Sequence, residues 1–211
     1  MKNTLRALAL CLPVLSAGCA STVKYDDPDK VETINIDFGS TDLKTLASGM
    51  VDSLVAAPQL AYYDHESKGA DKRIIVYTAG VNNRTSEHID TTGITDSIRT
   101  SLLKSGRFRL AASDQGQADL GEQVRFQQGS GRVDPDQAKA FGKQIGADMV
   151  LLGNLRSIEK SKKRNLEDAM KKTDDVWYQF VLELTDIETG EIIWMEEKDI
   201  RKTAKTGIFG T

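Results

Sequence analysis

The stretch RIIVYTA at residues 73–79 decides the fold class of this chain. Three aliphatic side chains and a tyrosine follow one another without a polar interruption, which is typical of a strand covered on both faces. A second continuous apolar run, MVLLG, lies at residues 149–153. Two such strands predict the centre of a β-sheet that carries helices packed against it.

Helices are predicted before and after the first central strand. Residues 41–54 place their apolar side chains on one helical stripe, and Thr41 is the expected N-cap. A second helix is expected from residue 91 or 92 to residue 104, because its isoleucines and leucine lie four positions apart and a glycine follows. Short alternating segments at 33–38 and 107–111 predict two further strands.

The second half of the chain predicts two more helices and then an antiparallel meander. A weak helix is expected at 119–128, and a better capped helix at 134–146. Residues 175–185 alternate between apolar and polar, and a turn at 186–190 leads into a last strand at 191–200. The order β-α-β-α-β-α-α-β-β-β predicts an α/β fold, a single small domain with a mixed β-sheet and flanking helices.

The N-terminus has the features of a bacterial secretory signal. Lys2 and Arg6 precede an apolar stretch at residues 8–15, and small residues at 16–18 lead to Cys19. This arrangement resembles the lipobox, in which the cysteine is lipidated and becomes the first residue of the mature protein. The alternative is an ordinary signal peptide cleaved near Gly18, which would leave an unpaired cysteine at the new N-terminus.

These features divide the chain into three parts. Residues 1–18 are predicted to be a signal peptide, 19–32 a lipid anchor and tether, and 33–211 a periplasmic α/β domain. The polar tether would reach on the order of 45 Å when extended. Ala20 stands where an aspartate would resemble an inner-membrane retention signal, so the expected location is the outer membrane, facing the periplasm. Two or three acyl chains on Cys19 would suffice for stable anchoring.

Composition and charge exclude several functions. The chain carries 28 Lys and Arg against 31 Asp and Glu, so it has no basic footprint for nucleic acid. Its cysteines are Cys11 and Cys19, which leaves the globular part without a disulfide or a cysteine-based metal site. His65 and His88 lack the spacing of a helical metal pair and are expected in solvated loops. No catalytic constellation, metal site or cofactor site is predicted, and the chain is not expected to be an enzyme.

Three polar segments remain as candidates for binding. Basic residues cluster between 160 and 172, where a long hairpin or a short helix is predicted, and again between 198 and 205. A solvated surface is the ordinary interpretation of both clusters, and contact with an acidic partner or a lipid headgroup is the alternative. The segment VNNRT at 81–85 directly follows a central strand, where it forms either a strand-to-loop turn or a functional loop.

Four stretches resemble, in order, the LpoB family of outer-membrane lipoproteins that activate a class A penicillin-binding protein. They are residues 75–85 with their terminal VNNRT, DSIRTSLLKSGRFRL at 96–110, AKAFGKQIGADMVLL at 138–152 and TGEIIW at 189–194. Together with the lipobox they span most of the chain. The resemblance implies a fold similar to the N-terminal domain of TolB, a non-catalytic role, and a link to peptidoglycan synthesis and cell shape.

The resemblance further implies binding to a periplasmic domain of the bifunctional synthase. The chain would then stimulate glycan polymerisation and cross-linking by favouring the active state of its partner. The partner-binding residues predicted on this basis are Asn82, Asn83, Arg84 and Thr85, with the Arg84 guanidinium suited to bidentate pairing with a carboxylate. Two alternatives stay open: an envelope-assembly lipoprotein of related fold with no synthase partner, and an enzyme that acts on wall glycan.

Overall fold

The computed structural model describes residues 24–63, 70–138, 146–164 and 171–207. The chain divides into two compact units, Met1–Lys30 and Val31–Thr211. In the first unit, a solvated ion pair joins Lys30 Nζ to Asp26 Oδ2 at 3.1 Å. The predicted signal peptide and Cys19 lie outside the described residues.

The second unit contains the predicted α/β architecture. The described residues form, in chain order, α1 (Ser40–Ala56), a 3-10 helix (Pro58–Tyr62), β1 (Ile74–Arg84), α2 (Thr91–Lys104), β2 (Phe108–Leu110), α3 (Asp114–Gly129), β3 (Met149–Lys162), β4 (Lys172–Asp186) and β5 (Ile192–Thr206). The strands form one sheet in the order β2-β1-β3-β4-β5. Strand β1 runs parallel to β2 and β3, whereas β3, β4 and β5 form an antiparallel meander, so the sheet is mixed as predicted.

The two faces of the sheet carry different helices. The connections from β1 to β2 and from β2 to β3 cross the sheet in opposite directions, and right-handed crossovers therefore place their helices on opposite faces. On the inner face, Arg99 of α2 donates to Thr78 Oγ1 at 2.9 Å. On the outer face, the Tyr77 hydroxyl donates to Asp114 at the start of α3 at 2.7 Å.

The hydrophobic core lies on the inner face, between the sheet and the helices α1 and α2. The predicted helical stripes are confirmed, since the residues that line them are buried in this core: Leu46, Met50 and Leu54 of α1, and Ile94, Ile98 and Leu102 of α2. Alternate residues of β4 complete it with Tyr178, Phe180 and Leu182. Gly153 of β3 permits this packing, because a Cβ there would lie 2.9 Å from Val81 Cγ2 and 3.2 Å from the Phe180 ring.

The strand predicted at 33–38 is wrong. This segment is irregular, and its backbone groups form hydrogen bonds with side chains rather than with a neighbouring strand. The Ile36 carbonyl accepts from the Tyr178 hydroxyl at 3.3 Å, and the Phe38 amide donates to Glu87 at 2.9 Å. The apolar alternation that suggested a strand instead lets Ile36 and Phe38 pack against the core from an irregular backbone.

Four strands, β1, β3, β4 and β5, are longer than predicted. Strand β1 continues to Arg84, so the loop expected from residue 80 begins only after the strand. Strand β3 continues to Lys162 and pairs with β4, which begins at Lys172 rather than at residue 175. A long hairpin or a short helix was predicted for the basic segment at 160–172; its described ends lie in these paired strands, and residues 165–170 lie outside the described residues. Strand β5 likewise runs to Thr206 instead of ending at 200.

The N-terminal cap of α1 differs from the prediction, whereas α2 begins at Thr91, as predicted. Thr41 does not cap α1, because its hydroxyl accepts from the Glu32 amide at 2.8 Å; the first turn is instead closed by Asp42, which accepts from the Gly39 amide at 2.8 Å. The cap of α2 is Asp90, which accepts from the Thr92 amide at 3.0 Å.

The two later helices have different outcomes. The weak helix predicted at 119–128 is present but begins earlier, as α3, after the capping residue Ser113. Of the helix predicted at 134–146, the described part shows Asp134 bonded to the Asp136 amide at 3.0 Å. Residues 139–145 lie outside the described residues.

Candidate functional site

The outer face of the sheet carries a row of exposed side chains at the end where β1 finishes. The strand register places Arg84, Arg156, Gln179 and Asp199 side by side across β1, β3, β4 and β5. Because side chains alternate between the two faces of the sheet along each strand, every second residue lies on the same face. The next rows are therefore Ile158, Trp177 and Arg201, followed by Lys160, Asp175 and Thr203. We call seven of these residues the outer patch: Arg84, Arg156, Ile158, Lys160, Asp175, Trp177 and Arg201.

The centre of the outer patch is an open depression with an apolar floor. Its volume is about 340 Å³, and its lining is formed by Ile158, Lys160, Asp175, Trp177 and Arg201. The Ile158 side chain is 51% exposed. An aliphatic and an aromatic side chain are thus surrounded by charged groups. This arrangement suits a ligand that combines an apolar group with a polar one.

One side of the depression is held in place by a bidentate ion pair. Arg201 Nε lies 3.0 Å from Asp175 Oδ1, and Arg201 Nη2 lies 2.8 Å from Asp175 Oδ2. The Arg201 guanidinium, helped by the Thr203 hydroxyl at 2.8 Å, lowers the pKa of the Asp175 carboxyl below its usual range. The carboxylate is therefore ionised at neutral pH, and it fixes the plane of the guanidinium beside Trp177.

The other side of the outer patch brings two cations together. Arg84 and Arg156 are direct neighbours across the β1–β3 pairing, and like charges at such positions are unfavourable. Within the part of the chain that the structure describes, both side chains are exposed and neither has an ion pair or a side-chain hydrogen bond. The two guanidinium groups are consequently available to an anion.

The four residues predicted to bind a partner divide between two roles. Asn82 and Arg84 point to the outer face, where Asn82 lies beside Asn154. Asn83 instead bonds the Glu87 carbonyl at 2.9 Å and accepts from the amide and hydroxyl of Thr85 at 2.9 Å and 2.7 Å. Asn83 and Thr85 thus build the turn that ends β1, while Asn82 and Arg84 are presented to solvent.

The prediction missed the residues that β3 and β4 contribute to the outer patch. Arg156 and Ile158 lie beyond the end of the central strand predicted at 149–153, and Trp177 was assigned only to the strand predicted at 175–185. The signal was present in the sequence, because the alternation of Met149, Leu151 and Gly153 continues through Leu155 on the inner face. Extending that alternation places Arg156 and Ile158 on the outer face.

The inner side of the same strands forms a second, acidic depression. Its volume is about 580 Å³, and its lining includes Asp37, Glu87, Glu159, Asp174 and Tyr178. The Tyr178 hydroxyl donates to Glu87. Burial is the main cause that raises the pKa of Tyr178 above its usual range, and the hydrogen bond with Glu87 is the second. Lys160 and Asp175 line this depression as well as the one on the outer face.

The described residues contain no group of His, Cys, Asp and Glu arranged to hold a metal ion. His88 is exposed in the loop after β1, as predicted, and His65 lies outside the described residues. No helix in the described ranges is both long and apolar enough to cross a membrane.

Several solved structures of known proteins resemble this chain. The LpoB C-terminal domain from Salmonella enterica is 17% identical, with a TM-score of 0.42, and the match covers 75% of this chain and 98% of that one. The corresponding domain from Escherichia coli is 18% identical, with the same TM-score and coverage. An NMR structure of E. coli LpoB is 16% identical, with a TM-score of 0.40, over 97% of this chain and 91% of that one. No protein with a curated description matches the sequence.

The sequence also matches a family model, described as the peptidoglycan-synthase activator LpoB, over residues 42–200. The match begins in the first turn of α1 and ends in β5, so it includes both central strands and all of the outer patch except Arg201. Since it extends over most of the sequence, the chain belongs to the LpoB family of peptidoglycan-synthase activators.

Proposed function

We propose that this chain is an outer-membrane lipoprotein, facing the periplasm, that binds and activates a class A penicillin-binding protein. The observation that carries the proposal is the family match over residues 42–200. The signal sequence and Cys19 support the lipid anchor, and Ala20 supports sorting to the outer membrane. Activation of a bifunctional synthase requires binding surfaces rather than catalytic groups, which agrees with the surface described above.

The partner contact is proposed to lie at the end of β1 and on the strands beside it. Asn82 and Arg84 would contact the synthase directly, whereas Asn83 and Thr85 would position them through the turn. A turn built by side-chain bonds holds the backbone next to Arg84 in one conformation, which reduces the backbone entropy that binding costs.

The proposed mechanism is a shift in the conformational equilibrium of the synthase. A protein that binds the active state more tightly than the inactive state shifts the equilibrium constant between the two states, at saturation, by the ratio of the two affinities. A difference of about 1.4 kcal/mol in binding free energy shifts the equilibrium tenfold. Stimulation should therefore saturate as the lipoprotein occupies the synthase.

Reconstitution with purified components tests this function. The lipidated chain in detergent micelles is added at increasing concentration to each class A synthase of the host, and glycan polymerisation and cross-linking are measured on lipid-linked substrate. We expect dose-dependent, saturable stimulation of at least one synthase. A chain that stimulates none of them, or that releases fragments from isolated wall without a partner, would contradict the proposal.

Lipidation makes a separate prediction about Cys19. Replacing Cys19 with serine removes the thiol that would carry the diacylglycerol, so we expect loss of labelled palmitate and release of the chain from the outer-membrane fraction. Cys11→Ser is the matched control, because that residue lies within the predicted signal peptide. Palmitate that remains on the Cys19→Ser variant would refute the anchor.

A further inference from the structure

The adjacent pair Arg84–Arg156 indicates what the outer patch binds. Two guanidinium groups side by side repel each other, and the described residues supply no carboxylate to either of them. A fold that maintains an unfavourable arrangement of this kind on an exposed surface commonly does so for a function. An anionic group placed between the two arginines would pair with both and relieve the repulsion.

The apolar depression lies directly beside this cationic pair. Arg156 and Ile158 are two residues apart on one face of β3, which separates them by about 6.6 Å along the strand. Trp177 is the cross-strand neighbour of Ile158, and Arg201 is the neighbour of Trp177. A ligand that fills the patch must therefore present a negative group and an apolar group about that distance apart.

This combination fits a protein surface better than a lipid membrane. Tryptophan and arginine are the residues most enriched among those that dominate protein–protein binding energy, and both stand at the centre of the patch. The depression of about 340 Å³ is large enough for one bulky side chain. The chain as a whole has a formal net charge of −3, which opposes broad adhesion to an anionic membrane surface.

We propose that the outer patch recognises an acidic segment of the synthase, with a carboxylate bound between Arg84 and Arg156 and a neighbouring apolar side chain inserted between Ile158 and Trp177. The proposal rests on the proposed function and adds the chemistry of the partner and the residues that read it. The ion pair between Arg201 and Asp175 holds the rim of the depression open in the absence of the partner.

Binding measurements on charge-reversal variants test the proposal. The affinity of the lipidated chain in micelles for the purified synthase is measured for wild type, Arg84→Glu, Arg156→Glu and Trp177→Ala. We expect each substitution to weaken binding at least tenfold. We also expect the affinity of the two arginine variants to depend less steeply on salt concentration than the affinity of wild type does. Arg107→Glu is the matched control, because it makes the same charge change near the opposite end of β1, about 33 Å away.

Thermal unfolding of the same variants separates recognition from folding. Arg84→Glu replaces a pair of like charges by a pair of opposite charges, so its unfolding midpoint should equal or exceed that of wild type while its affinity falls. Arginines that act only in folding would give the reverse, a lower midpoint with unchanged affinity, and this result would overturn the proposal.

The remaining outcomes distinguish this proposal from the function on which it rests. If wild type binds and stimulates a synthase and the three variants do so equally well, the outer patch is not the binding site and the function stands. If wild type binds no class A synthase of the host, both proposals fall. Vesicles containing phosphatidylglycerol are the second probe, used with the same substitutions on the unlipidated Cys19→Ser chain so that acyl chains cannot anchor it. If these variants lose binding to the vesicles while the lipidated variants keep binding to the synthase, the patch recognises lipid headgroups.

Discussion

Replacing Phe180 with alanine is expected to lower the free energy of unfolding by about 4 kcal/mol. The Phe180 side chain is 0% exposed and lies in the middle of β4 on the inner face. Its ring packs over Gly153, which has no side chain that could fill the space left by the truncation. A loss of this size is a large fraction of the 5–15 kcal/mol that stabilises an ordinary domain.

Urea denaturation followed by far-UV circular dichroism measures this loss. Phe126→Ala is the matched control, because the Phe126 side chain on α3 is 42% exposed. We expect that control to cost less than about 1 kcal/mol. Similar losses in the two variants would show that the inner face of β4 is not the centre of the core.

Replacing Lys202 with alanine is expected to destabilise the domain by about 3 kcal/mol, the lower end of the range for breaking a buried ion pair, because the Lys202 side chain is 18% exposed. Lys202 Nζ donates to the Asp42 carboxylate, whose side chain is only 5% exposed, and to the Asp37 carbonyl at 2.6 Å. These bonds join β5 to the first turn of α1. Without the Lys202 ammonium group, the buried Asp42 carboxylate loses its cationic partner. This buried, uncompensated charge accounts for most of the expected loss in the free energy of unfolding.

A double-mutant cycle tests whether the two charges act as a pair. In the variant with both Lys202→Ala and Asp42→Ala, the loss should be smaller than the sum of the two single losses, because no unpaired charge remains. Lys205→Ala, at an exposed position of the same strand, is the control and should be nearly neutral. Additive losses in the cycle would contradict the pairing.

The core of this fold could be predicted because its signals are local. The apolar run at 73–79 and the stripes of α1 and α2 reflect burial, which depends mainly on the residue types in each segment. The ends of the strands depend instead on pairing partners. Polar residues of β1 such as Asn82 and Arg84 stay in the strand because β3 runs alongside them, and only the folded sheet supplies that neighbour.

The strand prediction for residues 33–38 was wrong for a related reason. Its alternation of isoleucines and phenylalanine is that of a strand, but its backbone bonds go to side chains that are distant in sequence, including Glu87 and Tyr178. A pattern of apolar residues shows which side chains are buried and does not show where the backbone hydrogen bonds lead.

The candidate site was predictable only in part. Arg84 stood out because it follows a central strand, and the basic clusters around Lys160 and Arg201 were evident from composition. Their assembly with Arg156 and Trp177 depends on the exact register of three strand pairings, and a slip of one residue would have sent each side chain to the opposite face.

The alternation of β4 also affects how this protein can evolve. Val176, Tyr178 and Phe180 hold the core, while Trp177 and Gln179, between them, face away from it. Substitutions at every second position can therefore follow changes in the surface of a partner without altering the residues on which folding depends. If the outer patch binds the partner as proposed, one strand carries both recognition and stability, and the two properties are under separate selection.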